Sequence, residues 1–283
     1  MWRIARVERS SRINATKSNQ MYTEQGSYCT ALMESLFLDT KTLNESLTCQ
    51  CLKMDAILLA AGLGTRLRPH TLTTPKPLLP VQGRPILDWI IGALPLEIGR
   101  LIVVVNYMAE QIEAYLAVQK HIAQWQIVRQ AKPRGTGDAL RSCRGLVRTD
   151  RFLVLNGDDL YGSQDLARLA TLSAGMLVHP VDEPQRFGIA FVRPDGTLEK
   201  LVEKPPLTGR QLANIGAYLF PQWAIDVDLP LSPRGEYEIT DAVSIVAARQ
   251  PVHTVQAGFW LPIGTVEAWN AAQTADLSPV HRS

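Results

Sequence analysis

From Met54 onward the chain is punctuated by short, nearly continuous apolar runs at residues 57–61, 101–105, 125–128 and 152–155. A strand covered on both faces needs such a run, whereas a strand with one wet face would alternate apolar and polar positions. Between these runs the apolar positions change to a spacing of three and four, at residues 86–94, 109–118 and 138–146, which predicts amphipathic helices. The β-α-β-α-β order predicts an α/β fold with a Rossmann-like, mostly parallel sheet flanked by helices, and places ligands beyond the carboxyl ends of its strands. Further along the rhythm tightens, with extended runs at 176–181, 188–192, 198–202 and 217–220 ahead of a helical segment at 239–248. No Gly/Ser-rich or charged linker divides the two parts. The later region is therefore predicted to be a strand-rich insertion that makes one composite domain with a mixed sheet.

Residues 1–53 have a different texture: polar, rich in Ser, Thr and Asn, and without a sustained helix or strand period. They are predicted to be a disordered extension or the product of a misplaced translation start, with Met54 the functional beginning. A transit peptide is the second reading, since Arg3, Arg6, Arg9 and Arg12 come early, but Glu8 and Glu24 count against it. The expected organisation is an N-terminal extension over 1–53, one folded domain over 54–276 and a tail over 277–283.

Composition narrows the field. Lys and Arg total 29 against 27 Asp and Glu, so a net charge of +2 provides no basic field for a nucleic acid, and any positive site must be local. No apolar stretch is long enough to span a membrane, and the first 30 residues lack the apolar core of a signal peptide, so a cytoplasmic protein is expected. Three of the four cysteines, Cys29, Cys49 and Cys51, lie before the predicted domain and Cys143 lies within it, which suits a reducing compartment.

The first apolar run ends in Gly62-Leu63-Gly64 and then releases Arg66, Arg68, His70 and Lys76 into a proline-broken loop. Glycines after a buried strand let the backbone turn sharply and aim N–H groups at an anion. The dinucleotide fingerprint requires a third glycine where Leu67 stands, and the P-loop requires Gly-Lys-Ser/Thr where Gly64-Thr65-Arg66 stands. Neither motif fits. The sequence from Ala60 to Pro69, followed by Pro75-Lys76-Pro77-Leu78-Leu79-Pro80, instead resembles the opening signature of the nucleotide-sugar pyrophosphorylases, or sugar-1-phosphate nucleotidylyltransferases.

That resemblance, which covers nearly all of residues 54–274, implies a reaction between a nucleoside triphosphate and a sugar 1-phosphate that yields an NDP-sugar and pyrophosphate. It implies that Ala61, Gly62, Gly64 and Thr65 wrap the nucleotide, and that Arg66 and Lys76 lie against the transferred phosphates as catalytic cations. In the stretch from Gln130 to Leu140 it assigns Gln130, Gly135 and Thr136 to the base. Asp158, which follows the run at 152–155, becomes the Mg²⁺ ligand, with Asp159 outside the core set. Gly188, Glu203, Lys204, Asn214 and Arg234 arrive in the family's order as the sugar-phosphate site, so the strand-rich insertion would bind the sugar. An Arg fork suits phosphate geometry.

One position departs from the pattern. Where many relatives carry Trp-Leu-Asp-x-Gly-Thr, with the Asp as second metal ligand, this chain reads Trp260-Leu261-Pro262-Ile263-Gly264-Thr265. Three consequences stay open: Mg²⁺ held by Asp158 with phosphate oxygens and waters, another acid such as Asp241 in its place, or weaker metal affinity. The resemblance favours the compact thymidylyl- and uridylyltransferases, hence dTTP or UTP with glucose 1-phosphate, and the short segment after Leu277 leaves no room for an acetyltransferase β-helix. A homo-oligomer is common in that family, though no patch reads as an interface. The alternatives are a non-catalytic nucleotide-sugar sensor, suggested by Pro262, and transfer to an alcohol phosphate.

Overall fold

A computed structural model describes residues 53–282. All but Lys53 of the predicted N-terminal extension therefore lies outside the described residues. The chain runs through β1 (Met54–Leu59), a hairpin of β2 (Pro80–Val81) and β3 (Arg84–Pro85), α1 (Ile86–Ala93), β4 (Ile98–Val105), α2 (Ala109–Val118), β5 (Gln124–Arg129), α3 (Thr136–Arg141) and β6 (Arg151–Asn156). Next come β7 (Asp159–Tyr161), α4 (Ser163–Ala170), β8 (Gly175–Val181), β9 (Gly188–Val192), β10 (Leu198–Glu203) and β11 (Gln211–Pro221). The remaining elements are α5 (Ile239–Ala247), β12 (His253–Gln256), β13 (Trp260–Pro262) and α6 (Val266–Ala272).

β6, β1, β4 and β5 lie side by side and parallel, as their continuous apolar runs require. β11 then joins β6 antiparallel and connects the later strands to the same nine-stranded sheet, in the order β10-β9-β11-β6-β1-β4-β5, with β8 pairing β11 and β12. The strand-rich region is thus an extension of one mixed sheet. Along β1, Ala56 and Leu58 point into a core shared with α1, α2 and α4, while Ile57 points into a second core shared with α3 and α5. Strict alternation into two apolar layers explains why β1 has no polar face.

The predicted helix over 138–146 is shorter and begins earlier. α3 starts at Thr136 and ends at Arg141, after which i to i+3 bonds from Cys143 to Leu140 and from Leu146 to Cys143 carry the chain through tight turns to Gly145 at φ 73°. Two further helices, α4 and α6, lie outside the segments predicted as helical.

β11 changes partner midway. Its second half pairs β6 from Ala217 to Pro221, whereas Ala213 pairs Ile189 of β9 on the same edge. The β9 and β10 hairpin therefore sits just beyond the carboxyl end of β6. Gly216, at φ 79°, makes the changeover: a side chain there would collide with Asn156 at the end of β6. This bend brings two distant sequence blocks to one edge of the sheet. No helix among the described residues is long and apolar enough to cross a membrane.

Candidate active site

The carboxyl ends of β1, β5 and β6 open into a cavity of about 430 Å³. After β1, the chain passes Ala60, Ala61 and Gly62 into a loop that turns at Gly64 (φ 61°), where the Thr71 hydroxyl donates to the Gly64 carbonyl at 2.8 Å. The proline-broken return ends in a single 3₁₀ turn, Lys76–Leu78, which directs Lys76 inward. Its side chain is 9% exposed, and Nζ lies 2.5 Å from Oδ2 of Asp158.

Asp158 follows β6 through Asn156 and Gly157. The Gly157 N–H donates to the Leu59 carbonyl, and the Ile263 N–H donates to the Asp158 carbonyl at 3.0 Å. β7 and β13 pair antiparallel immediately afterwards, with Pro262 opposite Asp159. Asp159 is buried and accepts from Asn156 at 3.2 Å. Burial, reinforced by the Asp158 charge, holds its carboxyl well above the usual carboxylate range. Asp159 thus faces the interior, while Asp158 keeps a 38% exposed side chain at the cavity.

The wall formed after β5 is built by a second set of constraints. Gln130 is buried and donates through Nε2 to Asp138 at 2.8 Å; its Oε1 has no partner among the described residues. Gly135 has φ 97° and ψ 173°, a region essentially closed to side-chain-bearing residues, and a Cβ there would strike the Tyr237 carbonyl. The loop is stitched to the segment before α5 by Tyr237 N–H to Arg134 carbonyl and Gly137 N–H to Tyr237 carbonyl, both 2.8 Å. The Thr136 hydroxyl accepts from the Ile239 N–H at 3.1 Å, so its side chain fastens the start of α5 to the cavity wall.

At the far end, Glu203 terminates β10 with Lys204 at 3.8 Å and Arg234 at 3.6 Å, and Arg234 also pairs Glu238 at 2.8 Å. Gly188 lies opposite Glu203 in the β9 and β10 register, and a Cβ on it would stand 3.1 Å from the Glu203 carboxylate and 3.9 Å from Cβ of Asn214. The Asn214 amide donates to the Tyr218 hydroxyl at 2.7 Å and its Oδ1 accepts from the Gly216 N–H at 3.2 Å. Asn214 therefore braces the β11 bend with both ends of its amide.

Of the residues singled out in sequence, Ala61, Gly62, Lys76, Gln130, Gly135, Thr136, Asp158 and Arg234 line the cavity. Glu203, Lys204, Gly188 and Asn214 cluster beyond it, joined to its wall through Arg234. Gly64, Thr65 and Arg66 lie outside the lining, with the Arg66 guanidinium beside Gly264. Sequence reasoning missed Asn156, Glu236 and Glu238 as cavity walls. The two glutamates flank Tyr237, and only the backbone bonds of Tyr237 to the Arg134 to Gly137 loop reveal the direction they face. Asp241 stands in the first turn of α5 and is not part of the cavity wall.

The profile of the nucleotidyl transferase (NTP_transferase) family matches residues 55–278. This chain belongs to that family. The chain is 33% identical over 214 residues to the bifunctional protein GlmU of Methanocaldococcus jannaschii, covering 75% of this chain and 51% of that protein. It is also 33% identical to the glucose-1-phosphate thymidylyltransferase of Streptomyces griseus, over 75% of this chain and 63% of that one. It thus spans about half the length of the GlmU relatives it matches. A UDP-glucose pyrophosphorylase solved with UDP-glucose superposes with a TM-score of 0.69 at 22% identity, over 78% of this chain and 97% of that one, and shares the fold. The expected α/β architecture and family membership are both found.

Proposed function

We propose that this nucleotidyl transferase joins a nucleoside triphosphate to a sugar 1-phosphate, releasing pyrophosphate and an NDP-sugar. The observation that carries this reading is the Lys76 and Asp158 pair, set in one cavity between a base-sized wall at Gln130 and Gly135 and an Arg234 that leads to Glu203. A sugar-phosphate oxygen attacks the α-phosphorus in line, the bond to the bridging oxygen of the β-phosphate breaks, and pyrophosphate leaves with that electron pair. The nucleophile is ionised at neutral pH, so positioning and charge stabilisation suffice without a base. Lys76 and Arg66 take the phosphate charge; Arg234 and Lys204 hold the sugar phosphate, and Glu203 accepts from sugar hydroxyls.

The donor set suits Mg²⁺. Asp158 presents one carboxylate to the cavity, and Mg²⁺ is commonly held by one or two carboxylates together with phosphate oxygens and waters. Such an ion supplies charge neutralisation and orientation of the phosphates. Gln130 points to the base. Asp138 takes one proton of its amide nitrogen and the Gly135 carbonyl lies 3.5 Å from the same atom, so Oε1 is left as an acceptor; it complements the N3–H of uracil or thymine and opposes the unprotonated N3 of cytosine. UTP or dTTP with glucose 1-phosphate is the assigned pair.

The test follows pyrophosphate release by the full chain with Mg²⁺, glucose 1-phosphate and each of ATP, CTP, GTP, UTP and dTTP. Release with UTP or dTTP but not CTP is the expected result. Tight nucleotide-sugar binding without release from a wide panel of sugar phosphates would replace the enzyme with a sensor.

A further inference from the structure

The acid proposed to hold the metal already has a cation beside it. Lys76 Nζ sits 2.5 Å from Oδ2 of Asp158 and has no other hydrogen-bond partner among the described residues, and the Asp158 side chain has no other partner either. The lysine is buried, so its ammonium has exchanged water for this one carboxylate. Beside the pair, on the strand that faces Asp159, stands Pro262, which adds no charge. Asp159, the adjacent acid, is turned inward onto Asn156 and Tyr161. The ion pair therefore carries no net charge of its own, and Lys76 occupies a carboxylate oxygen through which Asp158 would bind a cation.

We propose that Lys76 acts as an internal counter-cation: it keeps Asp158 from binding free divalent cations, and Asp158 becomes available when the phosphates of a nucleoside triphosphate draw the ammonium away. This inference rests on the functional reading above and adds an order to it. Asp158 and the nucleotide complete the metal site together, so the ligand-free protein does not sequester the metal. Lys76 thereby has a positioning role before it has a role in transfer. A second carboxylate at position 262 would make the site net negative and undo the device.

The experiment measures Mn²⁺ binding to the full chain, without nucleotide, by the electron paramagnetic resonance signal of free Mn²⁺. Lys76→Met should tighten binding about tenfold, in the range of ordinary coupling between two ligands, and adding Asp158→Asn to it should erase the gain. Lys76→Gln, which keeps a polar chain and removes only the charge, should also tighten binding and decides the matter if Lys76→Met fails to fold by circular dichroism. Equal Mn²⁺ affinity of the wild type and a folded lysine variant, or a gain that survives Asp158→Asn, would each overturn the proposal. The two readings fail separately. Flat Mn²⁺ titrations with intact pyrophosphate release remove only the counter-cation role, whereas absence of nucleotide binding removes the functional reading itself.

Discussion

Two acid and cation pairs stand at opposite ends of the parallel strands. At the amino end, Asp55 and Arg100 face each other in the β1 and β4 register, with side chains 5% and 10% exposed. The guanidinium gives two bonds to the carboxylate, at 2.9 and 2.8 Å, and a further one to the Leu146 carbonyl; Asp55 also accepts from the Arg148 N–H at 2.7 Å. At the carboxyl end, Lys76 and Asp158 share a single contact, and the aspartate is open to the cavity. The first pair is saturated and holds the fold; the second leaves lone pairs and donors for a ligand. The fork geometry of Arg suits a permanent pair and the flexible point charge of Lys suits one that changes partners.

The largest effect should come from breaking the saturated pair. Asp55→Ala leaves a buried guanidinium uncompensated and should cost about 3–5 kcal/mol in urea unfolding, with kcat of the folded enzyme unchanged. Lys76→Ala or Arg66→Ala should give the converse, lowering kcat by about 10²- to 10³-fold, as loss of one preorganised charge contact does. Loss below threefold for both, in protein whose folding is intact, sinks their catalytic assignment. Gly135→Ala sharpens the comparison, because it damages the site through the backbone: the conformation alone should cost about 1–3 kcal/mol, and the KM for nucleotide should rise. Glu203→Gln should be nearly silent in stability, as its ion pairs are partly exposed and worth about 0–1 kcal/mol. Its signature is a KM for sugar phosphate raised about tenfold, as expected when one charge-assisted hydrogen bond is weakened.

Much of the parallel half was legible because β1, β4 and β6 are buried on both faces, which leaves a continuous apolar run with few alternatives, while the half-exposed edge strand β5 still shows Trp125, Ile127 and Val128. β1, β4, β5 and β6 all coincide with such runs, and the loops after them hold Gly62, Gln130 and Asp158 as expected. The antiparallel half was legible as strands but not as a sheet. Pairing of β11 with β6 at one end and β9 at the other depends on contacts more than twenty residues apart, for which local pattern holds no signal. The same limit hid Glu236 and Glu238, whose direction follows from backbone bonds between Tyr237 and the Arg134 to Gly137 loop. It also hid the role of Asn214, a ligand contact by resemblance and a brace of the β11 bend by geometry.

The sequence by itself determined the fold class, the family and the loops that follow the parallel strands, because these depend on periodicity and on motifs short enough to be read within one loop. Only the tertiary structure decided that Asp158 faces the cavity while its neighbour Asp159 is buried, and that Lys76 neutralises it. Those facts arise from the pairing of β7 with β13 and from a loop folding back across 82 residues of chain, and the free energy of a charge depends on the groups that distance brings beside it.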